Sequence, residues 1–131
     1  MNNRFKFRVW DKLAERMIYP HNDNQQHFII DLNGRFHNLQ NGSGGDDYVI
    51  QQYTGLTDIN DDPIYEGDIL KNHYDVGNNI IGQVLYESDH GGYIFQWKRK
   101  GRGQDYKNLN CDVAFESVIV GNKFEHSELL N

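Results

Sequence analysis

The chain has 131 residues, a formal net charge of −6, 37% hydrophobic and 13% aromatic residues, and one cysteine. That length suits a single compact domain, and the lone cysteine excludes an intramolecular disulfide, so a reducing cytoplasm is the expected compartment. No apolar run approaches the roughly 18 residues of a membrane-spanning helix, and Arg4, Lys6 and Arg8 interrupt the first apolar stretch, which argues against a signal peptide.

Along the chain, Phe5, Phe7 and Val9 alternate with Arg4, Lys6, Arg8 and Trp10, the period of two that predicts a half-buried strand. A polar stretch from Asp11 to Arg16 turns the chain into a short strand, Met17–Tyr19, stopped by Pro20. Residues 27–32 and 35–39 flank Asn33-Gly34 and predict a hairpin, because Asn-Gly accepts the positive φ angles of a type I′ turn. Residues 41–47, glycine and short polar side chains, read as a mobile loop. They mark the one seam at which N-terminal hairpins (1–47) would part from a barrel-like lobe (48–131). Tyr48–Tyr53 is a strand and Asp58–Pro63 a turn. Strands follow at 69–71, 81–86 and 93–98, the last two joined across Asp89-His90-Gly91-Gly92. A final strand, Phe115–Val120, ends at Gly121-Asn122, and Ser127–Leu130 is the one segment that looks helical, with Ser127 as its cap. There is no internal repeat. Short strands at close spacing predict a mainly β, antiparallel protein.

Charge is segregated. Residues 1–16 hold five basic and two acidic side chains, residues 17–97 two and twelve, residues 98–107 five and one, and residues 108–131 one and four. The cluster Lys98, Arg99, Lys100, Arg102 and Lys107, beside Trp97 and Tyr106, is the sharpest local anomaly. Its plainest reading is a solvated, glycine-softened hairpin loop. A second is a nucleic-acid grip, with cations on the backbone and rings stacked on bases, although an acidic chain is the reverse of the usual balance for such modules. A third is a basic surface that, with the N-terminal strand, meets the acidic middle of another copy.

The residues nominate no catalytic, cofactor or metal site. His21 with Asp23, His73 with Asp75, and Asp89 with His90 are the local acid–imidazole pairs; none has metal-site spacing, and all three read as turns. A small hydrolase with a composite Asp/His site drawn from several loops is the catalytic alternative. Cys111 alternates with Val113 and Phe115 and reads as a buried structural thiol, since a nucleophile needs a positioned base. The run Tyr65-Glu66-Gly67-Asp68-Ile69-Leu70 reads as a corner leading into a strand, with Gly67 supplying an unusual φ and Asp68 bonding nearby N–H groups. Its alternative is a ligand site at Glu66 and Asp68.

Several blocks together resemble the YopX family of phage and prophage proteins. They are Phe7-Arg8-Val9-Trp10-Asp11, Met17-Ile18-Tyr19, Gln52-Tyr53-Thr54-Gly55-Leu56-Thr57-Asp58, Ile64-Tyr65-Glu66-Gly67-Asp68-Ile69-Leu70, Ile81–Glu87 and Val118–Glu125. The resemblance spans nearly the whole chain. It implies a β-rich phage or prophage accessory protein of unknown function, in the cytoplasm of a bacterial host, with homo-oligomers in prospect, and it supplies no catalytic residues. Tyr53, Thr54, Gly55, Leu56, Tyr65, Glu66, Gly67 and Asp68 are then a structural family motif. The family pattern has Asn-Gly before the second block, where this chain has Asn60-Asp61, and it follows the terminal asparagine with proline, where this chain has Glu125-His126-Ser127. The loops at 41–47 and 98–107 look peculiar to this member.

The expected fold is therefore mainly β, with antiparallel hairpins packed on a small, partly open SH3-like barrel. The expected function is a non-enzymatic module that binds a phage or host protein or itself. A nucleic-acid-binding module using the 98–107 loop stands as the first alternative.

Overall fold

The computed structural model describes residues 5–19, 27–75, 78–99, 101 and 103–131. The chain is mainly β and antiparallel, and one five-stranded sheet curls into a half-barrel. Two compact units are distinguished, one of Asn3–Gln52 and one dominated by Tyr53–Asn131.

The N-terminal unit holds β1 (Phe7–Asp11), β2 (Arg16–Ile18), β3 (Phe28–Ile30), β4 (Phe36–Asn38) and the first half of β5 (Tyr48–Thr57). β1 lies between β2 and β5, with Val9 opposite both Ile18 and Ile50. Val9, Ile18 and Phe36 form the core, ringed by Phe28, Ile30, Tyr48 and Ile50. The Phe36 ring centroid lies 5.6 Å from that of Phe28 and 4.7 Å from that of Tyr48, so ring–ring contacts help to hold this small core together.

β1 departs from the half-buried expectation. Arg8 is 3% exposed, and its Nε donates to Gln51 Oε1 at 2.8 Å, directly opposite in register. A buried guanidinium is tolerable only when its donors are matched, and this acceptor lies 43 residues away. Arg8 is thus removed from any basic N-terminal surface.

The β3–β4 hairpin forms, but not through a type I′ turn. Among the described non-glycine residues only Glu15 and Asp61 have positive φ, so Asn33 does not, whereas Gly34 does at 77°. Gly34 N–H donates to Asp31 O and Asp31 N–H to Arg35 O, both at 2.9 Å. The Asp31 carboxylate accepts from the N–H groups of Asn33 and Arg35. This is a three-residue loop closing on a left-handed glycine, and Asp31 selects it over the tighter turn by satisfying two amides at once. The 41–47 segment is tied rather than loose: Asn38 N–H donates to Ser43 O, Gly42 N–H to Asn38 O, and the Ser43 and Tyr48 hydroxyls meet at 2.7 Å.

The C-terminal unit contains the second half of β5, then β6 (Pro63–Tyr65), β7 (Asp68–Asp75), β8 (Asn78–Glu87), β9 (Gly92–Lys98), β10 (Gln104–Asn108), a short helix α1 (Cys111–Phe115) and β11 (Ser117–Asn122). The half-barrel runs in the order β10-β9-β8-β7-β11. Ile64, Leu70, Val84, Phe95, Val113 and Ala114 pack in its hollow. Gly82 permits close approach of β8 and β9, since a Cβ there would run into the Gln96 carbonyl oxygen and the Phe95 ring.

Four sequence expectations are corrected in this unit. The 98–107 segment is not all loop, because β10 emerges from it. Cys111 is exposed at the start of α1, where Asn110 caps the helix by accepting from Val113 N–H; the strand-like alternation with Val113 and Phe115 is broken by helical periodicity, and Phe115 is 70% exposed. His73 lies within β7 rather than in a turn, with Nδ1 2.8 Å from Asn79 Oδ1. The C-terminal Ser127–Leu130 segment is a 3₁₀ turn whose capping position is His126, not Ser127.

Candidate functional site

The two family blocks fold into adjacent pieces of backbone. Tyr53 pairs with Tyr65 and Thr57 with Pro63, and the ladder is irregular between them. Gly55 sits in that irregularity with φ of 88°. The Thr54 hydroxyl donates to Ile64 O at 2.8 Å and accepts from Leu56 N–H at 3.2 Å. Tyrosine-threonine-glycine-leucine therefore describes a bulge: glycine for the left-handed residue, threonine to bridge the interrupted ladder. Leu56 packs against the half-barrel core.

Tyr65, Glu66, Gly67 and Asp68 make the corner between β6 and β7. Gly67 takes φ of 85°, and Asp68, only 2% exposed, accepts from Tyr65 N–H at 2.8 Å. Gly67 N–H donates to Val84 O and Gly67 O accepts from Lys123 N–H. Burial raises the Tyr93 phenol above its ordinary range, with the Glu66 charge adding to it. Burial likewise raises Tyr53, with Asp61 adding to it.

The same use of polar groups recurs at several other buried positions. Asp11 accepts from Leu13 and Ala14 N–H groups, and Asp58 from Asn60, Asp62 and Ile119. Asn72 Nδ2 donates to Ser117 Oγ and to Val113 O. Asn122 Oδ1 accepts from Phe124 and Glu125, and His126 Nδ1 accepts from Asn122 N–H. Buried carboxylates and amides are the raw material of an active site, and here they cap backbone.

His21 and Asp23 lie outside the described residues. His90, in the β8–β9 turn, meets the Tyr106 ring edge-on at 5.2 Å. Among the described residues no group of three metal-ligating side chains is assembled. A groove of about 680 Å³ beside α1 is lined by Lys107, Cys111, Asp112, Phe115 and Glu116, with no histidine among its lining residues to serve as a base for the thiol. Burial lowers the Lys107 ammonium from its ordinary range, opposed by Glu116.

Strand register divides the described part of the basic cluster. Gln104 lies opposite Lys98, Asp105 opposite Trp97, Tyr106 opposite Gln96 and Lys107 opposite Phe95. Residues directly opposite share a face and neighbours alternate. Trp97, Asp105 and Lys107 therefore share the face of buried Phe95, and Trp97 packs on the core with its ring 5.4 Å from that of Phe95. Lys98 and Tyr106 are on the other face, and Tyr106 is 48% exposed. Arg99 Nε lies 3.5 Å from Asp105 Oδ2. Lys100 and Arg102 lie outside the described residues. The two aromatic rings that would stack on bases are thus on opposite sides of one sheet.

A family model described as "YopX protein" matches residues 6–131. The chain belongs to the YopX family. Among curated proteins nothing matches it. Among solved structures it is similar to the crystal structure of protein EF1440 from Enterococcus faecalis, with 24% sequence identity, a TM-score of 0.55, and coverage of 96% of this chain and 97% of that one. The likeness extends to the fold. Within the described residues no helix is long and apolar enough to cross a membrane.

Proposed function

We propose that this YopX protein is a non-catalytic accessory module of phage or prophage origin, acting in the bacterial cytoplasm, and that the β9–β10 hairpin is its contact surface for a protein partner. One observation carries the reading: β10 is the terminal strand of the half-barrel and presents the exposed Tyr106 ring beside a strongly basic segment. Engagement of the buried polar side chains in backbone capping supports a binding role over a hydrolytic one. The split of Trp97 and Tyr106 across two faces supports a protein partner over nucleic acid.

The test is affinity capture from bacteria that naturally carry the gene, comparing the wild type with Lys98→Ala/Tyr106→Ala and quantifying bound protein and nucleic acid. A protein, whether host, phage or a second copy, should be retained by the wild type and lost from the variant. Retention indifferent to the variant, or nucleic acid as the sole species held, overturns the reading.

A further inference from the structure

The outer edge of β10 carries a more specific inference, which rests on the hairpin being the contact surface. Arg99 N–H donates to Gly103 O at 2.9 Å and Leu109 N–H to Tyr93 O at 3.0 Å. These residue pairs extend the β9–β10 register in both directions. In an antiparallel ladder, bonded and non-bonded pairs alternate. Asp105 and Lys107 therefore point their amides at β9, while Gln104, Tyr106 and Asn108 point theirs away from the sheet. No strand among the described residues pairs with that side. Tyr106 N–H is closed by the adjacent carboxylate, donating to Asp105 Oδ1 at 3.0 Å. The other oxygen of Asp105 lies 3.5 Å from Arg99 Nε.

We infer that β10 accepts an extended acidic peptide segment as an additional antiparallel or parallel strand, and that Asp105 guards the middle of the edge against unselective pairing. Exposed strand edges are templates for strand addition, and an acceptor side chain folded over a central amide is one way to blunt them. Charge selects the occupant. Residues 98–107 carry five basic side chains and one acidic. A second copy added in parallel would set two such segments side by side within a Debye length of about 8–10 Å, whereas an acidic strand is attracted in either direction and can take over Arg99 as Asp105 swings away. Five residues of edge make a small interface, in the size class of weak, transient contacts.

The experiment titrates isotope-labelled protein with a capped heptapeptide of alternating glutamate and valine, reading amide hydrogen exchange and chemical shifts. Protection is expected at Gln104, Tyr106 and Asn108, with Asp105 and Lys107 unchanged, weakening as salt rises. A lysine–valine peptide, or the acidic peptide with proline at its centre, should not protect them. Asp105→Ala should bind the acidic peptide about fivefold more tightly than Asp105→Asn, since both lose the charge but asparagine keeps an acceptor for Tyr106 N–H, and one hydrogen bond is worth roughly 1 kcal/mol. Absence of protection, protection equal at all five residues of β10, or equal affinity of the two variants overturns strand addition. Loss of cellular capture in Lys98→Ala/Tyr106→Ala without alternating protection would leave the hairpin as the contact surface and remove only the strand mechanism. Alternating protection with unaltered capture would do the reverse.

Discussion

Two loops in different units of the molecule are built to one local plan. In Asp31–Arg35 and in Asp58–Asp62 the first residue's N–H donates to the fifth residue's carbonyl, and the fourth residue's N–H returns to the first residue's carbonyl. In both, one carboxylate oxygen of the leading aspartate accepts from the third and fifth amides. In both, the fourth residue is left-handed: Gly34 at 77° and Asp61 at 64°. The difference lies in the second oxygen. That of Asp31 meets His37 Nε2 at 2.9 Å, with the carboxylate side chain 34% exposed. That of Asp58, a residue only 3% exposed, accepts from Ile119 N–H on β11 at 3.0 Å, across 61 residues of sequence, while Ile59 N–H donates to Ser117 O. One loop finishes a hairpin; the other also occupies part of the outer edge of the half-barrel. Identical local chemistry acquires different weight from what surrounds it.

The largest effect should come from removing the buried carboxylate. Asp58→Ala leaves three amide donors without their acceptor and uncovers part of β11, so urea unfolding should lose about 3 kcal/mol or more. Asp31→Ala should lower the midpoint much less. Equal losses would break the comparison.

The left-handed position offers a swap of intermediate size. Asp61→Gly should stabilise the protein by about 1 kcal/mol, because glycine meets no steric penalty there, and Gly34→Asp should destabilise it by about the same. Nothing lies within 4 Å of a Cβ built at Gly34, so the cost there is conformational alone. Thermal midpoints of the two single variants and the double variant measure this. Opposite and additive shifts are expected, and shifts of the same sign would show that the loops are not equivalent.

The smallest effect is the pH dependence of the exposed loop. The Arg35 N–H, then His37, hold the Asp31 carboxyl below its ordinary value of 3.8. A lowered folded-state pKa contributes stability that is complete above the ordinary value and lost as pH falls through the lowered one. Wild type and Asp31→Asn should therefore differ at neutral pH and converge in acid, and added salt should shrink the gap. A gap that widened in acid would reverse the assignment.

Much of this architecture was legible. Alternation marked β1, Met17-Ile18 marked β2, and glycine turns placed β7 to β9. The second family block placed the Gly67-Asp68 corner before β7. β10 was hidden because Gly101, Gly103 and five cations imitate a solvated loop, and only pairing with β9 makes Gln104–Asn108 a strand. α1 left a trace that period-two reading passes over, an asparagine three residues before Val113. The Asp-x-Asn spacing shared by Asp31 and Asp58 was also present, and it outranks the Asn-Gly dipeptide in setting the hairpin turn.

By itself the sequence determined the class of fold, the family, most strands and the local loops, because those depend on side-chain period and on hydrogen bonds closed within about five residues. Tertiary structure alone decided that Arg8 is buried against Gln51, that Asp58 reaches β11, that Cys111 faces solvent and that Lys98 and Lys107 lie on opposite faces. Each of these follows from which strand lies beside which and in what register. A strand's own residues carry its alternation but not the identity of its neighbour, and shifting the register by one residue exchanges its two faces.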